Sequence, residues 1–188
     1  MYTYEVRVVR AEEWALVKAL RLLALRDPVA HLAFLETYET AAARPDSFWQ
    51  ERAAGASEGA AAGVRQFVAE AEDGQWAGTV TLLLEDAGTV DWAGFPVERR
   101  QGHIVGVYVR DEWRGGGMTR ALLDAAVDRA WEWGVERVRL IVHEKNARAQ
   151  GAYRKAGFIP TGRTVPLGQG SGEDEYEFAL ERPEASDR

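Results

Sequence analysis

Three consecutive glycines, Gly115 to Gly117, interrupt the segment VYVRDEWRGGGMTRALL between an apolar, strand-like run and an amphipathic helical pattern. Glycine loses more backbone freedom on folding than any other residue, so a run of three needs a reason. Two interpretations are open: a tight strand-to-helix turn, or a loop whose backbone N–H groups hold a phosphate at a helix N-terminus. Arg114 before the run and Arg120 after it both suit an anion.

Two common phosphate-binding patterns do not fit this loop. The P-loop pattern GxxxxGK requires a lysine after its last glycine, and Met118 stands there. The dinucleotide-binding pattern GxGxxG requires a third glycine, and Arg120 stands there. These departures argue against a small nucleotide-binding module that uses the turn for a different phosphate.

The composition of the 188-residue chain excludes several kinds of site. It contains no cysteine, so disulfides, thiolate metal ligands and a cysteine nucleophile are absent. Its three scattered histidines lack paired ligand spacing, so we expect no metal. The formal net charge of −7 disfavours nonspecific nucleic-acid binding, and no apolar run approaches the length of a membrane span. We therefore expect a cytoplasmic protein that binds neither nucleic acid nor membrane.

The hydrophobic pattern predicts alternating strands and helices in a single domain, 1–188. Apolar and polar residues alternate in YEVRVV, as in a strand, whereas apolar residues recur at helical spacing in MTRALLDAAVDRAWEW. Residues 86–101 form either a loop or a short extra hairpin. The predicted order is βααβββαβαββ, a mixed α/β sheet flanked by helices. The predicted elements cover residues 4–9, 11–25, 45–54, 66–72, 76–85, 103–109, 118–133, 137–143, 146–156, 158–166 and 175–181.

The glycine turn resembles motif A of the GNAT superfamily of acetyl-CoA-dependent N-acetyltransferases, at about residues 103–133. The motif reads Q/R-x-x-G-x-G/A, and Arg114 and Gly117 fill its first two named positions. Thr119 replaces the usual glycine or alanine at the third, which makes the approach to a pyrophosphate tighter. Asp111 stands where the family often has proline.

The downstream segment VHEKNARAQGAYRKAGF resembles motif B, at about residues 137–158, with Asn146 and Tyr153 in the expected register. The resemblance implies a GNAT fold, with a mostly antiparallel sheet whose fourth and fifth strands splay apart. The pantetheine arm of acetyl-CoA would lie in that gap, paired with the backbone of Val107 and Val109. The implied cofactor-binding residues are Val107, Tyr108, Val109, Arg114, Gly115, Gly116, Gly117, Met118, Thr119, Arg120, Asn146 and Tyr153.

Charge around this site fits an anionic cofactor, although the chain as a whole is acidic. The basic residues concentrated there are Arg114, Arg120, Lys145, Arg148, Arg154 and Lys155. Local charge of this kind outweighs the sign of the net charge, because charges separated by more than a Debye length are screened.

Acetyl transfer by direct attack in a ternary complex requires an unprotonated amine and protonation of the leaving thiolate. The resemblance gives Tyr153 the role of general acid; the alternative is a tyrosine that only packs a helix on the sheet. His103 is the first choice of base, because it precedes Ile104 where many family members carry an acidic residue and because histidine is the side chain suited to proton transfer near neutral pH. Glu98, Glu144 and a water chain are the alternatives.

The acceptor is expected to be a primary amine of a small molecule or a peptide; a small polyamine, an amino sugar and a peptide N-terminus would all fit. Two segments, DPVAHLAFLETYET and EDAGTVDWAGFPVERR, would shape its pocket. The candidate walls are Phe34, Tyr38, Trp92 and Phe95, and the candidate partners of a cation are Glu36, Glu39, Asp86 and Asp91. A catalytically silent GNAT fold that binds acetyl-CoA as a sensor is the alternative function, and the protein is expected to be a monomer or a homodimer.

Overall fold

Seven strands form one mixed sheet in the computed structural model, which describes residues 3–91, 94–166 and 172–184. The strand order is β1-β2-β3-β4-β5-β7-β6. Only the β4–β5 pair is parallel among these neighbours. The strands are β1 (Tyr4–Val8), β2 (Val64–Ala71), β3 (Trp76–Glu85), β4 (Gln101–Val109), β5 (Arg137–His143), β6 (Ile159–Pro166) and β7 (Asp174–Glu181).

Helices cover both faces of the sheet. They are α1 (Trp14–Leu25), α2 (Ala30–Ala33), α3 (Tyr38–Ala42), α4 (Asp46–Gly55), α5 (Met118–Glu132) and α6 (Ala147–Lys155), with short 3-10 turns at Ala11–Glu13 and Asp111–Trp113. No helix in the described part of the chain is both long enough and apolar enough to span a membrane.

The predicted mixed sheet flanked by helices is confirmed, with two additions. Helices α2 and α3 lie where the sequence predicted a loop. The hydrophobic pattern does not reveal them, because helices of four and five residues are too short to show a 3.6-residue period. Within residues 86–101, Val90 and Pro96 form an isolated bridge, which fits the short-hairpin alternative. Strand β4 begins at Gln101, two residues before the predicted start.

Two apolar clusters, one on each face, fix the helices to the sheet. On one face, Leu122 and Leu123 of α5 pack with Leu140 of β5 and Phe178 of β7, all essentially buried. Each such side chain contributes roughly 1.5–3 kcal/mol when removed from water. The other face carries α1 and α4, whose core includes Trp49. We call these the α5 face and the α1 face.

A bulge in β4 changes which of its residues face α5. Thr79 pairs with Tyr108 and Thr81 with Val105, so Gly106 and Val107 together oppose one residue of β3. Gly106 has φ +64°, a left-handed conformation that glycine adopts without strain. Ile104 lies in the α5-face core before the bulge, and Val107 and Val109 pack against that core after it.

The same bulge lies where β4 and β5 part. The two strands pair over three residue pairs, which end at Ile104 and Leu140, although β4 continues to Val109 and β5 to His143. Because a bulge bends its strand and increases its twist, β4 leaves the line of β5 at this point. The sheet therefore contains an open gap between two neighbouring parallel strands.

Candidate active site

The gap between β4 and β5 opens into a cavity of about 690 Å³, within the usual size of a small-molecule site. Its walls come from both faces of the sheet. Met118 of α5 and Tyr153 of α6 lie on one side, and Ala33 and Phe34, at the end of α2, lie on the other. Val105 of β4 lies between them.

The glycine turn forms the N-terminal end of α5, at the edge of this cavity. Gly115 has φ +81° and Gly117 has φ +88°, both left-handed. Gly117 is the N-cap and provides no capping side chain, and the backbone amides from Gly115 to Arg120 find no acceptor among the described residues. A Cβ on Gly117 would meet nothing within 4 Å, so its surroundings are open.

Exposed, unpaired amides at the positive end of a 15-residue helix are a ready site for an anion. The pyrophosphate of acetyl-CoA is such an anion, and the cavity is large enough for the pantetheine arm of acetyl-CoA. Met118, Thr119 and Arg120 also line the cavity, whereas Gly116 does not and has no left-handed φ.

Arg114 lines the cavity, but its guanidinium is already engaged. It donates to Asp27 at 2.5 Å, to Asp111 at 2.7 Å and to the carbonyl of Val109 at 2.9 Å. Burial opposes ionisation of Asp27, yet the hydrogen bond and charge of Arg114 outweigh it and hold the pKa of Asp27 below its ordinary value. The charge of Arg114 is therefore balanced within the protein, and its main contacts join the glycine turn to the segment after α1.

The other basic residues named by the sequence divide into two groups. Arg120, Arg148 and Lys155 line the cavity, and Arg120 also pairs with Asp124 across one helical turn. Lys145 instead pairs with Glu173, and the Arg154 guanidinium lies 5.2 Å from the ring of Phe178. The positive charge that faces the cavity thus comes from the ends of α5 and α6.

The exposed edge of β4 offers backbone groups to an extended ligand. The amide of Arg110 donates to Ala77 of β3, so by strand alternation the backbone groups of Val107 and Val109 point away from β3, into the gap. The carbonyl of Val109 already accepts from Arg114. Tyr108 also lines the cavity, with its backbone paired to Thr79 of β3.

Asn146 is the N-cap of α6, where its side-chain oxygen accepts from the amide of Ala149 at 3.2 Å. This capping bond satisfies one of the free amides of the first helical turn. The Nδ2 group makes no hydrogen bond with a described residue, and Asn146 lines the cavity. Its amide group can therefore cap the helix and donate to a ligand at the same time.

Tyr153 lies on α6 with its ring 6.4 Å from that of Phe178, in an edge-on contact. The residue is buried and lines the cavity, and its hydroxyl makes no hydrogen bond with a described residue. Burial raises the pKa of the Tyr153 phenol above its ordinary value. The phenol therefore keeps its proton at neutral pH, as a proton donor must.

His103 lies on the α1 face of β4, outside the set of residues that line the cavity. Its side chain is 2% exposed, with Nδ1 3.5 Å from the carboxylate of Glu85. Glu85 is held by Arg139, which also pairs with Asp91 and Glu177. The structure thus gives His103 a buried charge network as its surroundings, and the sequence alone did not indicate that network.

The alternative bases also lie off the cavity wall. Glu98 is exposed on the segment before β4, and the carboxylate of Glu144 accepts from the amide of Asp174 at 3.3 Å. Of the predicted acceptor walls, Phe34 lines the cavity, whereas Tyr38 stacks with Arg26 and Phe95 with Arg163. Trp92 lies outside the described residues.

Two carboxylates that line the cavity escaped the sequence reasoning. Asp27 precedes Pro28 in what the sequence marked only as a helix break, and Glu175 lies in the closing hairpin. One signal was available for Glu175: it alternates with Glu177 along a strand whose other face is apolar. A pair of acids on one face of a half-buried strand indicates a polar site or an ion-pair network.

Comparisons with known proteins agree with this geometry. An L-methionine sulfoximine/L-methionine sulfone acetyltransferase of Pseudomonas aeruginosa PAO1 is 34% identical over 88 residues, which are 46% of this chain and 50% of that protein. Mycothiol acetyltransferase of Saccharomonospora viridis is 33% identical over 105 residues, 56% of this chain and 33% of that protein. The chain matches half or less of the length of these relatives.

Solved structures show the same fold. The Salmonella typhimurium protein yncA, solved with its cofactor acetyl-CoA, superposes with a TM-score of 0.68 at 20% identity, covering 99% of this chain and 98% of the other. The PaiA N-acetyltransferase of Thermoplasma acidophilum, in complex with coenzyme A, gives 0.67 at 15% identity, covering 95% and 99%. The model of the Acetyltransferase (GNAT) family matches residues 21–158, and the chain belongs to this family.

Proposed function

We propose that this protein transfers the acetyl group of acetyl-CoA to a primary amine by direct attack in a ternary complex. The observation that carries the proposal is the union, in one cavity, of an open strand edge and an uncapped helix N-terminus. An extended arm with an anionic end fits both at once. The solved neighbours that hold acetyl-CoA or coenzyme A share this fold.

Each part of the site has a separate task in this proposal. The amides from Gly115 to Arg120 bind the pyrophosphate, and the backbone of Val107 and Val109 orients the pantetheine arm. When bound, acetyl-CoA supplies the activated acetyl group. Tyr153 donates a proton to the leaving sulfur, a task suited to a phenol that burial keeps protonated.

The pairing of the expected cation partners favours an acceptor with a single amine over a polyamine. Three of the four carboxylates that the sequence offered as cation partners are engaged inside the protein. Glu36 pairs with Arg21 and Arg44, Asp86 pairs with Arg100, and Asp91 pairs with Arg139. A polyamine would need several free carboxylates along its length, so we infer a monoamine of a small molecule or a peptide N-terminus.

A screen of amines for acetyl-CoA-dependent thiol release tests this function. The panel contains amino acids and amino-acid analogues, amino sugars, peptides with a free N-terminus, and spermidine. Thiol release with a monoamine, lost in Gly117→Asp, is the expected result. Tight acetyl-CoA binding with no turnover on any amine would support the silent-binder alternative, and selective turnover of spermidine would overturn the inference of a monoamine.

A further inference from the structure

Glu175 differs from every other described carboxylate near the cavity. Asp27 and Glu175 are the two described acidic residues on the cavity wall, and Asp27 is paired with Arg114. Glu175 makes no hydrogen bond or ion pair with any residue that the structure describes, although it is half-buried. A half-buried carboxylate without a partner raises the free energy of the folded protein, unless a cation pairs with it or a proton neutralises it.

The position of Glu175 across the sheet matches the route of an acceptor. Tyr176 and Phe178 belong to the α5-face core, so strand alternation directs Glu175 to the α1 face, to which the cavity residue Phe34 also belongs. Tyr153 belongs to the α5 face. The two groups therefore line the same cavity from opposite faces of the sheet.

We propose that Glu175 is the base of the acetyl transfer: it binds the ammonium group of the acceptor and takes a proton from it. This role rests on the proposed function. It gives one face of the gap to the nucleophile and the other to the leaving group. Acid and base then act on the two ends of one reacting centre without competing for the same space.

The proton balance of the reaction is complete with these two groups. An ammonium transfers one proton to Glu175, and the nitrogen lone pair of the resulting amine forms the C–N bond as the C–S bond breaks. The thiolate leaves with the C–S electron pair and takes a proton from Tyr153. The second proton of the nitrogen restores Tyr153, and Glu175 releases its own proton to solvent, so the products are an amide, a thiol and one proton.

The groups around Glu175 leave its charge available. His143, its register partner on β5, accepts from the amide of Lys145 at Nδ1 and lies 3.1 Å from Glu173 at Nε2, so its ring nitrogens are directed to partners other than Glu175. The other charged groups on the surrounding elements are Glu177 on β7, held by Arg137 and Arg139, Arg163 on β6, Arg148 at the start of α6, and the Asp27–Arg114 pair. Burial raises the pKa of Glu175, which makes it a stronger base than an exposed glutamate.

The test compares Glu175→Gln with Asp174→Asn, a neighbour on the same strand that does not line the cavity. Thiol release is measured from pH 5 to 9 with an amine found in the screen. We expect Glu175→Gln to lower kcat by roughly 10²-fold or more and to remove the acid-side ionisation that the base contributes to the pH profile of kcat. Asp174→Asn should retain both, and the thermal shift given by coenzyme A should be unchanged in the two variants.

Thermal unfolding gives a readout that does not depend on turnover. Removing an unpaired, half-buried charge should raise the Tm of Glu175→Gln at pH 8, by about 2–4 °C. If the wild-type protein acetylates an amine, and Glu175→Gln does so with full activity and an unchanged pH profile, the base role is overturned. The proposed function then stands. A wild-type protein that acetylates no amine overturns the proposed function and the base role with it.

Discussion

Arg114 and Asp27 form a part-buried ion pair at 2.5 Å that connects the glycine turn to the segment between α1 and α2. Their side chains are 20% and 11% exposed. The pair joins residues 87 positions apart in sequence, both of which line the cavity. The arginine that the sequence marked as an anion ligand is therefore also a structural clamp.

Removal of this clamp should weaken both folding and cofactor binding. Arg114→Ala leaves Asp27 poorly hydrated and unpaired, so we expect it to lower the free energy of unfolding by about 1–3 kcal/mol and to raise the Kd for coenzyme A. Chemical denaturation and thermal shift measure the two effects. The double variant Asp27→Asn/Arg114→Ala should recover part of the lost stability; no recovery would mean that Asp27 is not the partner that matters.

The Gly117 conformation should be essential for the anion site. Gly117→Ala places a Cβ on a residue with φ +88°, which costs about 1–2 kcal/mol, and Gly117→Asp adds a charge of the same sign as the pyrophosphate. We expect Gly117→Asp to abolish the rise in Tm that coenzyme A gives. The rise is measured for each protein against the same protein without ligand. Gly116→Ala is the control for adding a side chain to the turn: Gly116 itself has no left-handed φ and does not line the cavity, so this variant should keep the shift. A full Tm shift with coenzyme A in folded Gly117→Asp contradicts the proposal that the amides from Gly115 to Arg120 bind the pyrophosphate.

The phenol of Tyr153 should matter for turnover and not for binding. Tyr153→Phe keeps the edge-on contact with Phe178 and removes only the hydroxyl. We expect turnover to fall by roughly 10²-fold or more while the coenzyme A thermal shift persists. Because burial raises the pKa of Tyr153, the phenol should not ionise below pH 9, and the pH profile of the wild-type kcat should show no ionisation from it in that range. Wild-type turnover in Tyr153→Phe would remove it from the mechanism.

His103 should influence stability more than it influences the pH dependence of catalysis. The side chain is buried beside Glu85, away from the cavity wall. We expect His103→Gln to retain the acid-side ionisation of kcat that Glu175→Gln removes. If His103→Gln loses that ionisation and Glu175→Gln keeps it, the base is the histidine that the sequence predicted.

Arg139 should be the residue on which the charge network depends. It is 1% exposed and pairs with Glu85, Asp91 and Glu177, so Arg139→Met removes the cation that these three carboxylates share. We expect a loss of about 3–5 kcal/mol in the free energy of unfolding. Arg99→Met removes an exposed pair with Glu181 and should cost about 0–1 kcal/mol. Equal effects in urea denaturation would contradict the network.

The same network gives the protein an acid limit. Burial opposes ionisation of Glu85, but its contacts with His103 and Arg139 outweigh burial and lower the pKa to about 2. At pH values above the ordinary pKa of 4.5, Glu85 therefore contributes its full stabilisation to the fold. This contribution is lost as the pH falls towards 2. Unfolding measured from pH 6 to 2 should show a steep loss of stability in the wild type, and a shallower one in Glu85→Gln.

The long elements could be predicted from the sequence because their periods are clear. Residues 137–143 and 118–133 were identified nearly to their ends, since a buried strand and an amphipathic helix of four turns carry many consistent signals. Helices α2 and α3 carry too few residues for a period. Local turn chemistry and contacts with α1 decide them, and neither is visible in a hydrophobic pattern.

The site divides along a similar line. The glycine turn and Asn146 lie at strand-to-helix junctions, so their roles follow from local sequence. Glu175 reaches the cavity through the pairing of β7 with β5, a long-range contact that nothing near position 175 specifies. His103 lies where β4 still pairs with β5, beside Glu85 and outside the cavity lining, and this too follows from a long-range pairing that the local sequence does not specify.

The parting of β4 and β5 leaves the protein with a free strand edge inside its own sheet. At the rim of a molecule such an edge is a template for pairing with another chain, and it is a common origin of aggregation. Here residues of α2 and α6 line the cavity, with Phe34 on one face of the sheet and Tyr153 on the other. The part of β4 beyond the last pair with β5 is short, from Val105 to Val109, and the elements beside it belong to the same chain. The fold thus keeps backbone groups of β4 available to a ligand inside the sheet, where an edge strand at the rim of a molecule would offer them to another chain.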